Sequence, residues 1–205
     1  MQQQIVKMLE MQDAMNTKVN ANWRAAQFEW YRAIWIECAE LMDHYGWKWW
    51  KKQSPDMEQV NLELVDIWHF GLSDMLQRAE QVDTLADSLN AELSKVPSVV
   101  AEFRIELEAF VADVLASKAF NLAAFCRVLA AADLSFEQLY LQYTGKNVLN
   151  FFRQDHGYQD GSYRKLWQGK EDNEHLVEVL ETLEASSTSF QTDIYAALKA
   201  RYVVD

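Results

Sequence analysis

The sequence predicts an all-α protein, a helical bundle, on three observations. Only two prolines and six glycines interrupt 205 residues, too few for a fold of many strands and tight turns. Apolar positions recur at helical spacing along nearly the whole chain. Half of the residues are hydrophobic, ample for one sizeable core, so a single domain over residues 1–205 is the expectation.

The first helix is expected over about 2–16, where Ile5, Met8, Leu9 and Met15 keep that spacing. Gln12 and Asn16 follow Leu9 at +3 and +7, so two amides lie beside a core stripe and need partners. A second helix runs from about Gln27 to Tyr45 and ends at Gly46, the residue type favoured just past a helix end. Ser54, Pro55 and Asp56 read as N-cap, first helical position and first-turn acid of a long helix reaching about Gln81. A further helix covers 83–95, before Pro97. Ser98 is then placed to cap a helix from Val99 to about Lys118, and an apolar segment follows over 120–132. Ser135 to Gln138 form a capping-box pattern opening a helix to about Gln154. Residues 155–172 differ: they are polar, hold three of the six glycines and show no helical period. A stretch of that length in a helical protein is usually functional or disordered, and Tyr158, Tyr163 and Trp167 argue for order. Two short helices, over about 174–185 and 189–201, close the chain, with no repeat, low-complexity tract or linker visible.

The bulk numbers narrow the function. A net charge of −12 opposes general nucleic-acid binding, because the phosphates would be repelled. Eight of the 19 cations nevertheless fall within 48–52 and 146–170, so a small polyanion could still be held. Cys38 and Cys126 lie in apolar helical patterns without metal-ligand spacing, as buried thiols in a reducing cytosol would. The polar opening Gln2–Gln4 and the lack of an apolar run of about 18 residues point to a cytoplasmic protein with no membrane partner.

Two acidic pairs carry the chemistry. Glu37 and Glu40 are three apart, as are Glu63 and Asp66, and on a helix such residues share a face. Ile34, Trp35, Ile36 and Leu41 surround the first pair; Leu62, Leu64, Val65, Ile67 and Trp68 surround the second. The short 46–54 connection lets the two helices pack antiparallel and the four carboxylates converge. Their repulsion would be relieved by divalent cations, and hard oxygen donors suit Mg²⁺. Acidic pairs are also common on solvated helix faces, and from spacing alone the two readings stand level. The segment Gly46-Trp47-Lys48-Trp49-Trp50-Lys51-Lys52 allows a membrane-interface patch, a base-stacking surface or a nucleotide-pocket wall. For Lys51 and Lys52 simple solvation is the better reading. Lys146, Asn150 and Arg153 share one helix face at +4 and +7, and the glycine-bearing loop adds Tyr158, Arg164, Lys165 and Asn173. Cations so arranged suit a phosphate chain.

Trp30 to Lys51, with Glu37-Cys38-Ala39-Glu40 at its centre, closely resembles the first metal motif of the dimeric, all-α dUTPases, and Glu63-Leu64-Val65-Asp66-Ile67-Trp68-His69-Phe70 resembles the second. These enzymes belong to the all-α nucleoside triphosphate pyrophosphohydrolases, with the MazG-like proteins. The wider group shares only the acidic pairs, whereas the surrounding residues and the segment Gly145 to Asn173 are similar to the dUTPase branch. The resemblance implies metal motifs within 30–70 and a phosphate-binding segment at 145–173. Glu37, Glu40, Glu63 and Asp66 would hold Mg²⁺. Glu37 and Glu40 would be the catalytic pair, with Glu37 orienting a water as base. Gln12, Asn16, Trp49, His69, Phe70 and Asn150 would surround deoxyuridine, and Lys146, Arg153, Tyr158, Lys165 and Asn173 would contact the phosphates. Trp23 and Lys48 are left outside the site. The implied reaction is hydrolysis of dUTP, and of dUDP, to dUMP with attack at the β-phosphorus. By the same resemblance it would limit uracil in DNA, supply dUMP and be carried out by a homodimer. A dCTP-directed or broader pyrophosphohydrolase is the near alternative, and a non-catalytic helical interaction protein the distant one.

Overall fold

The computed structural model describes residues 1–202 apart from 80, 96, 98 and 186. Among the described residues it is an all-α protein of ten helices and one two-stranded hairpin. The helices are α1 (Gln2–Val19), α2 (Trp23–Ala26), α3 (Trp30–Tyr45), α4 (Met57–Arg78), α5 (Val82–Leu93), α6 (Phe103–Ser117), α7 (Leu122–Ala131), α8 (Phe136–Asp155), α9 (Asp172–Thr182) and α10 (Phe190–Arg201). Between α8 and α9, β1 (Leu166–Trp167) pairs antiparallel with β2 (Lys170–Glu171). No helix among the described residues is long and apolar enough to cross a membrane.

The helix ends follow local chemistry, with three departures from the sequence reading. The second expected helix starts later, at Trp30, after a short α2 that was not foreseen: Gln27 adopts a left-handed conformation at φ 51°. The Gln77 side chain then clamps the extended chain, accepting from the Phe28 N–H at 2.9 Å and donating to the Phe28 carbonyl at 3.1 Å. On α4 the N-cap is Asp56 rather than Ser54, its carboxylate accepting from the Gln59 N–H at 3.2 Å, and the Asp56 N–H donates to the His44 carbonyl. The expected helix from Val99 begins only at Phe103, where the Glu102 side chain accepts from the Arg104 N–H; Ser98 lies outside the described residues. Ser135 and Gln138 do form a capping box at α8. Gly46 ends α3 at φ +94°, where L side chains are disfavoured.

Among the described residues two hydrophobic clusters are buried. The larger unites α1, α3, α4, α5, α6, α7 and the start of α8, with Trp68 stacked on Phe125 at 5.7 Å and an interplanar angle of 3°. The smaller gathers Val148, Leu149 and Phe152 of α8 with Trp167, α9 and α10. Cys38 and Cys126 are free and buried. Burial, reinforced by Glu37 in the first case and by Glu92 in the second, pushes both thiols up, Cys126 to about 12 and Cys38 further. Helix α8 belongs to both clusters, and its polar face passes the middle of α4, which is where the cavity lies.

Candidate active site

A cavity of about 490 Å³ opens between α1, α3, α4 and α8. Its acidic wall comes from α3 and α4, the most extensively packed helix pair. Glu37, Glu63 and Asp66 bring carboxylate oxygens within 4.8 Å of one another. Glu63 is 9 % exposed, and His44 Nε2 stands 3.6 Å from its Oε1. Glu40 lines the same cavity but lies at its exposed rim, outside that tight group. The crowding shows in proton affinity. Burial, the hydrogen bond to Glu63 and the charges of Asp66, Glu63 and Glu40 push the Glu37 carboxyl up to about 8. Burial raises Glu63 as well, though the Glu37 hydrogen bond and Lys146 work against it. A cluster whose acids resist ionising together, built only of hard oxygens, fits a divalent cation such as Mg²⁺.

The adjoining wall is cationic and comes from α8, and it meets the acidic one at Lys146. The Lys146 ammonium, 3 % exposed, donates to Asp66 Oδ2 at 2.8 Å and to Asn173 Oδ1 at 3.1 Å. Arg153 is held as a fork: Nε and Nη2 donate to the two Asp172 oxygens at 2.8 and 2.9 Å, and Nη1 donates to Asn150 Oδ1 at 3.1 Å. Asp172 is wholly buried and also accepts from the Tyr163 hydroxyl at 2.9 Å. Burial pushes the Asp172 carboxyl up, but Arg153 and Tyr163 outweigh it and hold it below the usual carboxylate range. Tyr158 lies over the guanidinium, 5.8 Å from its ring centre, and Tyr158 and Lys165 line the cavity edge.

The remaining wall is aromatic and amide-bearing. Gln12 and Asn16 of α1 are 4 % and 8 % exposed and join Ser73 in a buried network. His69 Nδ1 lies 2.8 Å from the Val65 carbonyl, which can only accept, so Nδ1 carries the proton. His69 Nε2 is then a buried acceptor without a partner among the described residues. Burial, offset only in part by Asp66 and the Val65 carbonyl, lowers the imidazole to about 4 and keeps it neutral. Such an orphaned atom in a cavity wall points to a ligand donor. Phe70 stacks on Trp30 at 6.2 Å, and Trp23 and Phe28 extend that surface.

Of the residues singled out from the sequence, Glu37, Glu40, Glu63, Asp66, Gln12, Asn16, His69, Phe70, Asn150, Lys146, Arg153, Tyr158, Lys165 and Asn173 all line this cavity. Trp49 does not: it is 89 % exposed and packs edge-on against Trp50. The 46–53 turn is tied outward, away from the middle of α3. Gln53 Oε1 accepts from the Trp47 and Lys48 N–H groups at 3.1 and 2.7 Å, and Arg104 donates to the Gly46 carbonyl at 2.8 Å. Lys48 is likewise outside, whereas Trp23, set aside earlier, is 2 % exposed and lines the cavity. Trp30, Ser73 and Asp172 were missed. Ser73 stands at +7 from Asp66 and +4 from His69, on the same α4 face, a spacing that could have found it.

A family model described as dUTPase matches residues 4–158, about three quarters of the chain. No curated protein gives a match.

Proposed function

Since the chain belongs to the all-α dUTPase family and is therefore a hydrolase of dUTP, we propose that it cleaves dUTP to dUMP and pyrophosphate with Mg²⁺, and dUDP to dUMP and phosphate. One observation supports this most strongly: three carboxylates converging within 4.8 Å share a single cavity with Lys146 and Arg153.

Glu37, Glu63 and Asp66 would hold the ion, with Glu40 as fourth oxygen donor. When bound, Mg²⁺ supplies positive charge to the phosphate oxygens and lowers the pKa of water. The protein's own groups do the rest. Lys146 and Arg153 offset charge on the phosphate oxygens as the bond between the β-phosphorus and the bridging oxygen breaks. Arg153 is already fixed by Asn150 and Asp172, whereas Lys146, held by Asp66 and Asn173, would exchange its Asp66 contact for a phosphate oxygen when the ion is bound. Glu37 is the carboxylate we assign to orient the attacking water as base, in its ionised form beside the ion. Tyr158 and Lys165 flank the phosphate end. Asn16, Gln12, Phe70 and Asn150 surround the nucleoside, and neutral His69 offers Nε2 to a hydroxyl of the sugar.

Pyrophosphate release from dUTP with and without Mg²⁺ tests the reading. Release should require the metal, Glu40→Gln should lower kcat at least about 100-fold with the helical spectrum unchanged, and ¹⁸O from water should appear in pyrophosphate. Metal-independent turnover, or label in dUMP, would sink it. A panel of dCTP, dTTP and UTP tests the broader alternative.

The homodimer expectation finds support in one face. Trp35, Ala39 and Met42 of α3 form a groove with Leu107 and Val111 of α6, and Trp35, Ile105 and Leu115 are 37 %, 54 % and 46 % exposed. Trp35→Glu with Ile105→Glu should convert a dimeric species to monomer by light scattering.

A further inference from the structure

Ser73 sits where base selection would be decided. Its hydroxyl, 0 % exposed, donates to the His69 carbonyl at 2.9 Å. That leaves only lone pairs for its other two neighbours, which are Gln12 Nε2 and Asn16 Nδ2, each at 2.9 Å. Gln12 Nε2 directs its second N–H to Asn16 Oδ1 at 3.1 Å, and Gln12 Oε1 lies 3.0 Å from the Tyr143 hydroxyl. Asn16 therefore keeps one N–H and one carbonyl lone pair for the cavity, in a fixed order.

Without Ser73 that order would be reversible. The Tyr143 hydroxyl can donate to the Met8 carbonyl, also 3.0 Å away, and accept from Gln12. Gln12 and Asn16 could then both turn over and still satisfy each other. With Ser73 present, the same turn would aim two carbonyls at a hydroxyl whose single proton is already engaged. An unmatched buried polar group is disfavoured, so one orientation holds.

Resting on the dUTPase reading above, we infer that Ser73 is a positioning residue that locks the Asn16 amide in the polarity matching uracil and not cytosine. Uracil presents a carbonyl beside an N–H. Cytosine presents an amino group beside a bare nitrogen, the same two points with donor and acceptor exchanged. An amide locked one way meets both points of uracil and neither of cytosine. An amide free to turn meets either base.

The test is kcat/KM for dUTP and dCTP with Mg²⁺, in wild type, Ser73→Ala, Ser73→Cys and Ser73→Thr, with thermal unfolding recorded for each. Ser73→Ala should lower the dUTP-to-dCTP ratio at least about tenfold. Ser73→Cys, similar in shape with weaker hydrogen bonds, should fall between, and Ser73→Thr, which keeps the hydroxyl, should hold the wild-type ratio. A Ser73→Ala ratio within twofold of wild type, including equal losses on both substrates, overturns the inference. So does a threonine variant that discriminates as poorly as alanine, because packing rather than the hydroxyl would then be responsible. If Ser73→Ala fails to fold, the cysteine ratio is judged by the same criterion. A wild-type protein that releases no pyrophosphate from dUTP sinks the hydrolase reading instead, a result distinct from either.

Discussion

Asp172 holds Arg153 from behind, and its removal leaves a guanidinium buried without a counter-charge. Asp172→Asn should cost about 3–5 kcal/mol in denaturant unfolding and raise KM for dUTP. The pair also sets an acid limit. The folded Asp172 carboxyl lies below its unfolded value, so its stabilisation is full above about pH 4 and is lost as pH falls through the folded value. His69 acts earlier. Its folded pKa is about 4 against an ordinary 6.5, so between those values the unfolded chain binds more protons and stability declines as pH falls. That decline amounts to about 3 kcal/mol, and His69→Gln should flatten it in melting curves taken from pH 7 to pH 4. These two residues also show how much of the site could be read in advance. His69 was legible through the resemblance carried by Glu63 to Phe70, the second acidic motif. Asp172 carries no such signal, because it is one acid in a polar stretch and only the chain reversal through β1 and β2 brings it to Arg153. Trp49 lies outside the cavity for the opposite reason: its motif was plain, but Gln53 and Arg104 hold the turn that carries it, which no local spacing reveals.

At the scale of elements, α8 delivers Lys146, Asn150 and Arg153 in one register. Its capping box fixes where that register starts, far from the chemistry. Ser135→Ala should therefore destabilise the protein by about 1 kcal/mol in urea unfolding while leaving kcat unchanged. The segment after α8 is more sensitive. Gly157 has φ +89°, and a Cβ there would overlap the Ser162 hydroxyl. Gly157→Ala should displace the turn carrying Tyr158, destabilise the protein by about 1–3 kcal/mol in urea unfolding and raise KM for dUTP. The helices were legible because their buried faces repeat at 3.6 residues, whereas two-residue strands are too short to show alternation. The left-handed turn at Gln27 was also hidden, since it depends on Gln77, 50 positions along the chain.

For the whole molecule, the family match ends at residue 158, yet Lys165, Asp172 and Asn173 beyond it complete the cationic wall. The cavity thus depends on α8 linking the two hydrophobic clusters, and a ligand bridging the acidic and cationic walls should hold them together. A non-hydrolysable dUTP analogue with Mg²⁺ at 100 times its Kd should add about 2.7 kcal/mol to stability in a thermal shift, more than either component alone. The two sealed thiols turn this into a clock. Cys38 and Cys126 are buried, 2 % and 7 % exposed, and burial disfavours the thiolate of both near neutrality. Alkylation of the native protein by iodoacetamide should therefore be slow and quicken with excursions that part the core. Its pace counts those openings, and nucleotide in the cleft should make the clock run slow.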